Sequence, residues 1–205
     1  GEHAGSAGPL REGKGTSWEG GTRVPCILRW PGKIPAGTTS GASWAAIDLL
    51  PTVARITGGE IPKHKIDGLD VWPWILGEKG ASNPHEAYFH YFEENQLQAV
   101  TTGDGRWKLV LPHRYRTLGG KPGGAGGIPA AYETRLLEKP ELYELANDLG
   151  ETRDVAAEHP DIVARLEGLA EKARDDLGDA LTKRAGKGTR PPGRADEEPP
   201  PGSSK

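Results

Sequence analysis

Gly13-Lys14-Gly15-Thr16-Ser17-Trp18-Glu19-Gly20-Gly21-Thr22-Arg23-Val24-Pro25 decides how the rest of this chain is read. It places one lysine between two glycines, then an acid, a glycine pair and an arginine, and it runs directly into the apolar segment Val24 to Trp30. Glycines let a backbone adopt angles closed to other residues and let a ligand approach closely. A lysine adds a compact point charge with three donors. A loop of this kind, anchored to a strand, can hold an anion. A glycine-rich turn with a solvated lysine has the same composition, and short motifs match by chance.

With Trp30-Pro31-Gly32 following it, the stretch resembles the second signature region of type I sulfatases, the arylsulfatase family. In that family the lysine of the Gly-Lys-Gly-Thr segment contacts the sulfate group. Asp48-Leu49-Leu50-Pro51-Thr52, Asp67-Gly68-Leu69-Asp70 with Trp72-Pro73, and Leu142-Tyr143-Glu144-Leu145 with Asp148 and Glu151 are similar to further family segments. The resemblance spans nearly the whole chain except its tail. It implies the end of an alkaline-phosphatase-like α/β domain over residues 1–84, and a small domain over 85–180 with a four-stranded antiparallel sheet packed on a C-terminal helix.

The 205 residues allow one ordinary domain or parts of two. Hydrophobic residues make up only 35%, against 30 glycines and 18 prolines, but much of the glycine and proline falls in residues 119–127 and after 187, so the remainder can still bury a modest core. A net charge of −3 and the lack of a long basic face argue against a nucleic-acid partner, which needs clustered Lys and Arg. No apolar run is long enough to cross a bilayer, and no signal-peptide pattern stands at the start. With no methionine and Gly1 first, the chain is expected to be an internal piece of a longer protein. Cys26 is the only cysteine, so no internal disulfide forms and the compartment is left open.

Glycines punctuate residues 1–22, which read as loop. Val24 to Trp30 reads as a buried or half-buried strand ended by Pro31-Gly32. Residues 43–57 carry helical spacing with Pro51 near the start or at a kink. From Ala87 the chain breaks into short strand-like runs over 88–92, 97–102, 107–111 and 141–145, with Gly103-Asp104-Gly105 turning a hairpin. Residues 160–177 form an amphipathic helix with Pro160 in its first turn and Gly178 as its stop. A sheet with one helix laid across it buries both apolar faces. Residues 181–205 are too poor in apolar groups to offset ordering and read as a disordered tail.

Sulfate ester hydrolysis needs a nucleophile, a cation for the sulfuryl oxygens and an acid for the leaving oxygen. The resemblance implies a formylglycine made from a cysteine in a Cys-x-Pro-x-Arg setting, and a Ca2+ ion held by acidic side chains and an amide. Cys26 is followed by Ile27-Leu28-Arg29 and does not match; in an apolar strand it would act as a small hydrophobe. Asp67 and Asp70 fall short of the six or more oxygens that calcium takes and suit turns or caps. No metal ligand is therefore assigned here, and nucleophile and ligands are expected upstream of Gly1.

Lys14 is the catalytic candidate, stabilising charge as the ester bond breaks. Thr16 supports its loop, and Glu19 with Arg23 form a structural pair. His113 and Arg116, beside the loop from Gly119, suit an anionic substrate, although an ordinary solvated basic turn has the same composition. His3 either reaches the site or is a solvated loop histidine. His64, His85, His90 and His159 have no ligand spacing.

The expected function is that of the C-terminal part of a sulfuric ester hydrolase acting on a sulfated small molecule or saccharide. The chain by itself is expected to be inactive. A phosphatase or phosphodiesterase of the same superfamily is an alternative, since sulfate and phosphate share a shape. A non-catalytic anion- or glycan-binding module built on the small sheet is another. The family resemblance implies a periplasmic or secreted enzyme.

Overall fold

The computed structural model describes residues 7–121, 128 and 130–191. Its best-packed part is a four-stranded antiparallel sheet of β1 (Ala87–Phe92), β2 (Gln96–Thr102), β3 (Trp107–Val110) and β6 (Glu141–Glu144), in the order β1-β2-β3-β6. The β2–β3 hairpin turns at Gly103-Asp104-Gly105. Asp104 accepts from the Thr102 hydroxyl at 2.5 Å and from the Arg106 N–H at 3.0 Å, which fixes the turn with its own side chain.

One face of the sheet is covered by helix α4 (Pro160–Leu177), which matches the sequence reading at both ends. Leu166, Leu169, Ala170 and Ala173 pack on Leu97, Val100, Trp107, Leu109 and Leu142. Pro160 sits where its missing N–H costs nothing, and Gly178 ends the helix at φ 81°. The opposite face buries Ala99, Val110, Tyr143 and Leu145 against Trp18, Leu137 and Tyr115. β3 is therefore covered on both faces, which explains why all four of its residues are buried.

A bulge in β2 separates the two faces. His90 of β1 opposes Ala99 and Tyr91 opposes Leu97, so Gln98 is the extra residue. Leu97 and Val100 serve the helix side, and Ala99 the other. Such bulges re-aim a side chain. Here Gln98 accepts a hydrogen bond from Ser17 at 2.8 Å.

Before the sheet, a 3-10 turn over Ala46–Asp48 leads into α2 (Leu49–Thr57), with Pro51 inside the first turn, and α3 covers Trp72–Leu76. Asp48 is fully buried and joins these segments. It accepts from the Ala45 N–H at 2.9 Å and the Leu69 N–H at 3.0 Å, and pairs with His85 Nε2 at 2.6 Å. A Cβ on Gly68 would collide with the Ile47 carbonyl, so this junction needs glycine. Thr52 accepts from the Val71 N–H at 3.0 Å. His85, which had no role in the sequence reading, holds this junction together. Asp70 acts in a turn, accepting from the Trp72 N–H at 3.0 Å, while Asp67 pairs with Arg190 at 3.1 Å.

Three features depart from the sequence reading. First, Val24 to Trp30 is not a strand. No described strand runs beside it to take its N–H and C=O groups, and Pro25 lacks a donor. Val24 is 79% and Ile27 93% exposed, and Cys26 is an exposed thiol, not a buried small hydrophobe. Second, residues after β3 form a further antiparallel pair, β4 (Arg114–Thr117) with β5 (Glu133–Leu136), in a stretch read above as a basic turn and loop. Third, the chain after 181 begins in order: β7 (Gly178–Asp179) pairs with β8 (Arg184–Ala185), and Arg174 holds Asp179 at 2.9 Å. Residues 192–205 lie outside the described residues.

Candidate functional site

The lysine loop, residues 7–23, lies across the sheet face that α4 leaves free. Trp18 is the apolar anchor at 1% exposure, with its ring 5.4 Å from Tyr115 and 5.8 Å from Tyr143 in edge-to-face contact. The Arg11 guanidinium stacks 3.5 Å above Trp18 and donates to the Tyr143 hydroxyl and the Glu151 carbonyl, each at 3.0 Å. Thr16 donates to the Gly13 carbonyl at 2.9 Å, closing the tight turn around Lys14.

Glu19 starts the one-turn helix α1 (Glu19–Thr22) and is buried. A Cβ on Gly20 would collide with the Glu12 and Arg11 carbonyls, and one on Gly21 with the Thr16 carbonyl. The glycine pair thus lets the chain fold tightly enough to drive Glu19 inward. There Glu19 Oε1 meets Lys108 Nζ at 2.9 Å. Lys108 has no exposure at all and also meets Glu151 Oε1 at 2.9 Å. The Glu19 N–H donates to Glu151 Oε2 at 2.8 Å, closing the ring. Burial raises the Glu151 carboxyl above its ordinary value, opposed by Lys108 and the Glu19 N–H. The expected Glu19–Arg23 pair is present at 3.8 Å on the rim, so Lys108 is the closer partner.

The β4 strand grips the same loop from its other side. Glu12 accepts from the Thr117 hydroxyl and from the Leu118 N–H. Arg116 Nη2 donates to the Lys14 carbonyl at 2.7 Å, and its guanidinium occupies the space that a side chain at position 15 would need. Gly15 adopts φ 91° there, which favours glycine doubly. Arg116 also lies 4.9 Å from the Tyr132 ring.

The candidate residues are distributed as follows. Lys14 is exposed at the apex of this braced loop, and among the described residues no side chain accepts from its ammonium. Arg116 is exposed and touches the Lys14 backbone. His113 is 2% exposed, its ring 5.8 Å from that of Tyr115, with Nδ1 2.6 Å from the Leu111 carbonyl and Nε2 without a hydrogen-bond partner among the described residues. That makes Nδ1 the donor and Nε2 an open acceptor. Burial pulls its pKa below the ordinary value, against the Leu111 carbonyl and Glu93. His3 lies outside the described residues.

Sequence reasoning passed over Lys108, Glu151 and Arg11. Lys108 carried a usable signal: it is the one charged residue among apolar neighbours from Trp107 to Leu111, and a lysine buried in such a run needs a buried partner. Among the described residues no group of three or more His, Cys, Asp or Glu side chains could hold a metal ion.

Comparison with known proteins places this arrangement. The family model for the C-terminal region of N-sulphoglucosamine sulphohydrolase matches residues 13–117, and that for the C-terminal region of aryl-sulfatase matches residues 83–193. Steryl-sulfatase of Mus musculus is 35% identical over 188 residues, covering 84% of this chain and 29% of the relative. Arylsulfatase A of Bos taurus is 35% identical over 153 residues, covering 73% of this chain and 29% of the relative. A solved structure from work on metabolism of multiple glycosaminoglycans by Bacteroides thetaiotaomicron superposes with a TM-score of 0.60 at 28% identity, over 82% of this chain and 32% of that one. The chain spans less than a third of the length of these relatives. From its lysine loop to its last helix, it belongs to the sulfatase family and corresponds to that family's C-terminal region.

Proposed function

We propose that the enzyme containing this chain hydrolyses sulfate esters of aryl or carbohydrate substrates, with Lys14 contacting the sulfate. The observation that carries this reading is the contrast within the loop: its backbone and its other polar side chains are tied down, while the Lys14 ammonium is left exposed. Ordering a loop costs entropy, and a fixed cation that has no acceptor of its own is preorganised for an anion.

Lys14 neutralises the sulfuryl oxygens, whose charge grows as the ester bond breaks. Arg116 keeps guanidinium donors free beyond the one on the Lys14 carbonyl and extends the cationic edge toward a sulfated sugar or ring. His113, whose Nε2 has no hydrogen-bond partner among the described residues, and His3 are the further substrate-binding candidates. In the intact enzyme a formylglycine would supply the nucleophile and a bound Ca2+ would polarise the sulfate. Among the described residues no cluster of three or more His, Cys, Asp or Glu could hold the ion, and this reading assigns nucleophile and metal ligands to sequence ahead of Gly1. The rest of the enzyme also covers the exposed apolar residues from Val24 to Leu69. The chain by itself is inactive on this reading.

The test is Lys14→Ala in the intact enzyme with an aryl sulfate and the matched aryl phosphate. Loss of one such electrostatic contact lowers turnover about 10²–10³-fold, and the sulfate is the preferred ester. Unchanged sulfate turnover would remove Lys14 from the mechanism. Preference for the phosphate ester would replace the reaction class.

A further inference from the structure

The buried ion triad joins three regions that are far apart in the sequence, and its Glu19 is five residues from Lys14. Lys108 lies on the middle strand of the sheet, on the loop-facing side, where Thr101 opposes it across the ladder. Its ammonium is shared between Glu19 from the lysine loop and Glu151 from the turn ahead of α4, at 2.9 Å each. Glu151 itself takes a left-handed backbone, φ 51°, which a non-glycine residue holds only when its surroundings demand it. Its second oxygen grips the Glu19 N–H, so side chain and backbone of the loop are fixed at one point.

Stability is a weak explanation for such a group. Replacing a buried ion triad by apolar residues is often neutral or stabilising, and this face already has an apolar core around Trp18. A charged triad differs in being directional: its geometry admits one loop position. The lysine-bearing segment has no regular structure between Gly8 and Trp18, so side-chain contacts set its course, and the triad is the buried ionic one among them.

We propose that Lys108 is a positioning residue for Lys14: through Glu19 it sets where the loop places the sulfate-binding ammonium relative to the rest of the active site. The proposal rests on Lys14 being the sulfate contact. Lys108 does not touch the substrate; it is buried beneath the loop.

The experiment is a double-mutant cycle of Lys108→Met and Lys14→Ala in the intact enzyme, with kcat and KM read separately on an aryl sulfate. Misplacing a catalytic group by about 1 Å costs roughly a hundredfold, so K108M is expected to lower kcat by about ten- to a hundredfold. In the K14A background the same substitution should change turnover by less than about twofold. K108M leaves Glu19 and Glu151 unpaired, so the neutral variant E19Q/K108M/E151Q is measured beside it, and where K108M fails to fold the triple variant is read in its place. The triple should fold and show the same loss with the same non-additivity. Wild-type kcat in either folded variant, or losses that multiply with K14A, would overturn the positioning role. An active K14A would instead sink the Lys14 assignment itself, so the two failures are told apart.

Discussion

Residues 7–23 and residues 24–34 are neighbours in one motif and behave oppositely. The first stretch is bound at every side: Trp18 is buried, Glu19 meets Lys108, Ser17 meets Gln98, and Arg116 holds the Lys14 carbonyl. The second is extended, makes a turn at Trp30 where Ile34 donates to its carbonyl at 2.9 Å, and exposes Val24, Ile27 and Leu28. The polar, glycine-rich half thus finds its partners within this chain, whereas the apolar half keeps Val24 and Ile27 exposed and has Trp30 in ring contact with Trp72 at 5.8 Å. Short apolar runs state that a segment wants burial, but they carry no address for the surface that supplies it.

The strongest way to break this contrast is at the glycine pair. Gly21→Ala puts a methyl into the Thr16 carbonyl, and backbone on both sides must shift. The expected cost is on the order of 3 kcal/mol, measured as a lower denaturation midpoint together with altered near-ultraviolet dichroism from Trp18. An unshifted midpoint would mean the loop is not packed as tightly as its contacts imply.

A second variant sharpens the other half. Ile27→Ser should change the stability of the 205-residue chain by less than about 0.5 kcal/mol, because surface substitutions of this kind are close to neutral. In the intact enzyme the same change should cost roughly 1.5–3 kcal/mol, the value of a large apolar side chain moved out of water. Equal effects in the two settings would show that residues 24–34 remain uncovered in the longer protein.

The elements that read correctly from sequence are those whose partners are close by. The α4 helix carries its stripe, its proline start and its glycine stop within one segment, so both ends were legible. The β2–β3 hairpin had its turn residues in place. The Asp48 and Asp67–Asp70 segments could be recognised as motifs, but not as one junction through His85, because that contact spans a long sequence separation. The β4–β5 pair was hidden because Arg114, Arg116, Glu133 and Arg135 alternate with few apolar residues, so its strands lack an apolar face to advertise them. Of the site, the Lys14 loop was visible because glycine spacing is a local property. The Glu19–Lys108–Glu151 triad was not, since its members are separated by most of the chain and pair only after the sheet forms.

Acid titration gives the finest probe of the bound region, through His113. Its folded pKa is depressed by burial, so it stays neutral while the same residue in the unfolded chain takes up a proton below about pH 6.5. The unfolded state then binds more protons, and stability falls as pH drops through that value. His90 acts in the same direction over a wider range, since desolvation and the nearby Lys108 ammonium pull it down to about 3. Glu151 acts oppositely. Its raised folded pKa means the folded state takes up a proton first, so its contribution grows as pH falls toward the ordinary glutamate value. The acid limb therefore has two signs, with the histidine loss starting at the higher pH. His113→Gln removes one depressed group and should flatten the slope of stability below pH 6.5 by at most about 1.4 kcal/mol per pH unit. A His113→Gln slope identical to that of the parent would mean that the His113 imidazole is open to water, and that the loop closes less tightly over the sheet than its hydrogen bonds describe.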